Sequence, residues 1–79
     1  MQYQRINLWR FSKDVKDVTP KKIEFKFFMA HGPTVGCEFP IYDKVGEDYL
    51  VYDQTEPVTE ILPGGFFLTK NNRYKIELL

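Results

Sequence analysis

His31 and Cys37 stand six residues apart around the run GPTVG. A thiol activated by an imidazole is the route that cysteine nucleophiles take to acyl transfer. That route also needs an oxyanion hole and a group to orient the imidazole, and a chain of 79 residues leaves little room for a substrate cleft. Cys37 reads better as a small apolar side chain. The pair cannot hold zinc either, because structural sites take four Cys/His ligands and catalytic sites three protein ligands. Asp43, Glu47 and Asp48 gather around Gly46, yet they lack the alternating ligand spacing and terminal glutamate of a calcium loop. Two carboxylates across a sugar-sized cleft would suit glycoside hydrolysis, but so small a chain rarely builds that cleft. Pro63-Gly64-Gly65 has none of the glycine-lysine spacing that cradles phosphate. The sequence therefore predicts no enzyme, no metal and no cofactor.

Surface chemistry remains. The net charge is zero, but residues 1–31 sum to +4, residues 38–60 to −6 and residues 61–79 to +2. If these segments fold onto separate faces the molecule is electrically bipolar, which steers partners rather than specifying a fold. In the acidic block, tyrosines alternate with carboxylates: Tyr42, Glu47, Asp48, Tyr49, Tyr52 and Asp53. Tyrosine is rich in interface hot spots, and acidic rims draw basic partners. These six residues are the predicted partner-binding face of a protein-binding module, a small regulator or inhibitor whose partner carries a basic surface. Homodimer formation through an open strand edge is a variant of the same reading.

The run KKIEFKFFMAHG offers the alternative. Its lysines and rings alternate as strand faces do, with Ile23, Phe25, Phe27 and Met29 on one side and Lys22, Glu24, Lys26 and Phe28 on the other. Phe28 breaks the pattern by standing among the lysines. Single-stranded nucleic acid is bound by such mixtures, since every base has a face to stack on an aromatic ring. Arg5, Trp9, Arg10, Lys22, Lys26 and Phe28 would form that surface if the first two strands pair in a suitable register. The acidic block weighs against it.

Short elements must position these residues. Five prolines and five glycines punctuate the chain so evenly that long helices have no place. Between them lie runs rich in β-branched and aromatic residues. The pattern predicts one domain over residues 1–79, mainly β: an antiparallel barrel or sheet, SH3-like or OB-like, of five to six short strands. Strands are expected over about residues 3–11, 22–29, EFPIYD, YLVY and a closing hairpin, with KVGED and DQTEP as turns and a turn or short helix over 12–18. For the hairpin, a three-residue loop Lys70-Asn71-Asn72 would set Leu68 opposite Tyr74 and Phe66 opposite Ile76, turning Phe66, Leu68, Tyr74, Ile76 and Leu78 inward and Phe67 outward. No run of 18 apolar residues suggests a membrane span, and one thiol without an export signal points to the cytoplasm.

Overall fold

Alternation of apolar and polar side chains in short, turn-bounded runs can be satisfied only where one face is buried, and a sheet closed on itself supplies such a face without open edges. The computed structural model has that form. It describes residues 2–12 and 21–79, and for residues 12 and 21–26 the backbone path alone; the segment expected as a turn or short helix lies largely outside these residues. Six strands follow in order: β1 (Gln4–Ser12), β2 (Lys21–Met29), β3 (Glu38–Val45), β4 (Asp48–Ile61), β5 (Phe66–Thr69) and β6 (Asn72–Leu78). Each pairs antiparallel with the next, and β6 returns to pair with β1, closing a barrel. The order is sequential all the way round. The fold is a small, mainly β barrel, as the sequence predicts.

Inward-facing Ile6, Leu8, Phe27, Phe39, Ile41, Val58, Phe67 and Tyr74 form one core, with Met29 and Ile76 packed on it. Rings dominate its centre: Phe67 lies 5.2 Å from Phe39 and stacks on Tyr74 at 5.0 Å. Two sequence expectations are corrected here.

The first correction is the register of the last hairpin. Phe66 pairs with Lys75, Phe67 with Tyr74 and Leu68 with Arg73, which leaves a two-residue loop, Lys70-Asn71. Relative to the predicted pairing β5 has turned over: Phe67 and Thr69 are fully buried, while Phe66 and Leu68 stand on the outside, half-covered. Leu78, expected to point inward, is 63% exposed. Polar bonding at the turn selects this register. Thr69 Oγ1 accepts the Asn72 N–H (3.2 Å) and donates to Glu56 Oε1 (3.3 Å), and Asn71 Nδ2 donates to Glu56 Oε2 (2.7 Å). A buried hydroxyl without such partners would cost about 1–3 kcal/mol, so the bonds make Thr69 an acceptable core residue.

The second correction is DQTEP, which is not a turn but the middle of the fourteen-residue β4. Its polar side chains carry the ladder across a bend. Where the β3–β4 register shifts between Glu38 and Pro40, Phe39 donates its N–H to Thr55 Oγ1 (3.1 Å) instead of to a facing carbonyl. Thr55 in turn donates to Glu56 O (2.7 Å). The glycine pair does form a tight connection, at the 3-10 turn Pro63–Gly65. At Gly65 φ is +84°, and a Cβ there would sit 2.7 Å from Ile76 O, so only glycine fits.

The register is testable by truncation. Phe67→Ala should destabilise by about 3–5 kcal/mol in urea unfolding, as emptied core ring sites do. Phe66→Ala should cost about 1 kcal/mol or less. The reverse order would restore the three-residue loop.

Candidate functional site

Strand phase and register decide which predicted residues meet. On the outside of the barrel, one cross-strand row runs Arg5 (β1), Phe28 (β2), Tyr42 (β3) and Val51 (β4). Tyr49 stands nearby, opposite Lys44. Tyr3, just ahead of β1, folds over them: its ring stacks on Tyr49 at 3.8 Å with 4° between planes and meets Tyr42 edge-on at 5.2 Å. Phe28 meets Tyr49 edge-on at 5.2 Å, and Lys44 Nζ lies 5.7 Å from the Tyr49 centroid. Tyr42 and Tyr49, expected to bind a protein, and Phe28, expected to stack a base, therefore belong to a single external cluster.

This cluster sits on an arm. β2 and β3 pair only at Phe28 and Tyr42 among the described residues, whereas β3 and β4 stay paired to Val45 and Asp48. The turn between them carries Gly46 at φ +63° and exposed Glu47. Four of the eight large hydrophobics that are exposed among the described residues, Val45, Leu50, Val51 and Tyr52, lie on this stretch of 45–52, so exposed apolar surface is concentrated here rather than scattered. Tyr52, at 59% exposure, keeps its ring 4.6 Å from that of Phe27.

The remaining predicted residues go elsewhere. Asp53 pairs with inward-facing Ile41 at a mouth of the barrel, away from Tyr42 and Tyr49. Arg10 does not join Arg5 and Trp9: it pairs with inward-facing Tyr74 on β6. Together with Gln54, Thr55 and Glu56 they line a polar cavity of about 170 Å³. Both Glu56 oxygens already accept bonds from Thr69 and Asn71, so this carboxylate serves the turn. Trp9 stands outside, opposite Lys22 on one side and Lys75 on the other. Lys22 and Lys26 are placed by backbone register only.

His31 Nδ1 lies 2.8 Å from the carbonyl oxygen of its neighbour Gly32, and Cys37, expected as a small buried apolar side chain, is instead an exposed free thiol. The backbone around Cys37 is pinned to β4, where Gly36 donates to Val58 O and Val58 donates to Cys37 O, both at 2.8 Å. No group of three or more potential metal ligands occurs among the described residues. No helix among them is long and apolar enough to cross a membrane.

Sequence reasoning missed Tyr3, Val45, Leu50 and Val51 in the arm, and a second outer surface on β1, β5 and β6. There Arg73 lies 4.9 Å from the Phe11 ring centroid and Lys75 Nζ 5.5 Å from that of Phe66. Alternation from Leu8 could have put Trp9 and Phe11 outside. Nothing in the sequence signals that Tyr3 would reach Tyr49.

At the polar mouth, burial raises the Tyr74 phenol above its ordinary value near 10, with Arg10 working against the rise and Glu56 adding to it. The folded state then holds the phenolic proton more tightly than the unfolded chain does. Stability from this group is present below the ordinary value and is lost as the pH rises through the elevated one. Urea midpoints measured between about pH 9 and 11 should fall, and Tyr74→Phe should remove part of that slope; an identical slope would contradict the burial of the phenol. Compared with known proteins, the chain matches no family model, no curated protein and no solved structure.

Proposed function

We propose that this protein is a non-enzymatic binding module, a small cytoplasmic regulator or inhibitor, whose partner is a protein with a basic surface seated on the β3–β4 arm. One observation carries the reading: exposed Val45, Leu50, Val51 and Tyr52 share a hairpin with the Tyr3–Tyr42–Tyr49 cluster and with acidic Glu47 and Asp48. Rigid tyrosines give contact area at low entropic cost and are frequent hot-spot residues. Carboxylates at the tip attract a basic partner and raise its on-rate more than they add affinity. Tyr42, Tyr49 and Tyr52 would supply the contact, Glu47 and Asp48 the steering. Asp53, turned to the barrel mouth, is left at the margin.

Past Tyr42, β3 pairs with β4 alone among the described residues. An edge of this kind can accept an extended segment of the partner as an added strand. It also supports the homodimer variant, which light scattering on the purified chain distinguishes: a monomer leaves the partner heterologous.

The double reversal Glu47→Lys, Asp48→Lys should abolish recovery of the partner from the native host in pull-downs at low salt, and Tyr49→Ala should shorten the lifetime of the complex. Undiminished recovery with both variants would remove the arm from consideration.

A further inference from the structure

The outer face opposite the arm carries a different chemistry. Across β1, β6 and β5, cations and rings alternate at cross-strand distance. Trp9 faces Lys75, Lys75 faces Phe66, and Phe11 faces Arg73. On the other side of β1, Trp9 faces Lys22. Phe11 and Phe66 approach with 6.2 Å between centroids, so the rings form one surface with the two β6 cations above it. Arg73 Nε is buried with no hydrogen-bond partner among the described residues. Among the described side chains the acids nearby are Glu60, opposite Leu68, and Glu77, whose Oε1 accepts Asn7 Nδ2 at 2.9 Å.

We propose that this face binds single-stranded nucleic acid, with phosphates on Arg73 and Lys75 and bases stacked on Phe66, Phe11 and Trp9. Arg73 and Lys75 are successive same-face residues of one strand, about 6.8 Å apart. That is close to the phosphate step of an extended single strand. Rings set between the cations match what a single strand offers and a duplex hides: bases with free faces. Charge placement agrees. Arg73 and Lys75 on β6 stand opposite Phe11 and Trp9 of β1, and the −6 block lies on the β3–β4 hairpin. The site differs from the one expected from sequence: Phe28 and Arg5 belong to the arm cluster, Arg10 to the barrel mouth, and Phe11, Phe66, Arg73 and Lys75 enter.

The test is fluorescence anisotropy with the full chain and a labelled oligo-dT 12-mer, followed also through Trp9, the only tryptophan. Binding at ~50 mM salt should weaken with a log–log slope of roughly −1.4, as two phosphate contacts require, and should quench Trp9. Lys75→Gln and Arg73→Gln should each flatten the slope by about 0.7. Phe66→Ala should weaken binding by about fivefold or more with the slope unchanged. Thermal melting of each variant shows that the barrel persists, and Lys75→Gln, wholly at the surface patch, keeps the test decisive if Phe66→Ala does not fold. Absence of binding at ~50 mM salt would overturn the proposal. So would equal competition by duplex DNA or polyglutamate, which would mark a plain polyanion or an acidic protein as the occupant. A loss in Tyr49→Ala equal to that in Phe66→Ala would move the site to the arm. None of these outcomes depends on whether the arm binds a protein.

Discussion

The Glu56 carboxylate on β4 holds the final turn of the chain: one oxygen accepts the Thr69 hydroxyl, the other the Asn71 amide, while Thr69 also accepts the Asn72 N–H. These bonds fix the phase of β5, and a strand's phase decides which of its side chains reach the core and which reach a partner. With Thr69 inside, Phe67 completes the stack with Phe39 and Tyr74. Phe66 is then released to the outer surface beside Phe11 and Lys75. A slip of one residue would bury Phe66 and Leu68, expose Phe67, and strip the outer face of one of its rings. The same few hydrogen bonds thus stand behind both the core and the cation–ring surface.

Barrel closure adds the second constraint. Because β6 pairs with β1, the β6 cations stand beside the outer rings of β1, and the acidic middle is confined to one hairpin. A neutral molecule is in this way given two unlike surfaces. Opposite fields at the two sides favour different partners and slow the approach of wrong ones. The arm is apolar and tyrosine-rich with an acidic tip; the β1–β6–β5 face is cationic with rings between the charges.

Legibility from the sequence followed the physics of each segment. The mainly β class and the inward Phe27 were readable because alternation is clean over residues 22–29; β1 was less legible, because Leu8 and Phe11 also fit helical spacing and Asn7 is buried between Ile6 and Leu8. β5 was not readable, because FFLT offers an acceptable apolar pair in either phase. Its choice depends on Glu56, thirteen residues away on another strand. DQTEP has turn composition, yet Thr55 uses its hydroxyl to bridge a register shift in the ladder, a tertiary use that composition cannot reveal. In the candidate sites, Tyr42 and Tyr49 share the Tyr3 ring as a common neighbour. Arg10 separated from Arg5 and Trp9 because successive residues of a strand face opposite ways, and Arg10 lies an odd number of positions from both. Tyr3 joins the arm through a contact spanning most of the barrel fold, and no local pattern encodes it.

The central claim is that β5 lies with Phe67 inside and Phe66 outside, since core and surfaces both follow from it. A nuclear Overhauser spectrum of the full chain tests this directly. The account predicts cross-peaks from the Phe67 ring to Phe39 and Tyr74, and from the Phe66 ring to Phe11 and Lys75. Cross-peaks from Phe66 to Phe39, with Phe67 contacting only surface side chains, would contradict it.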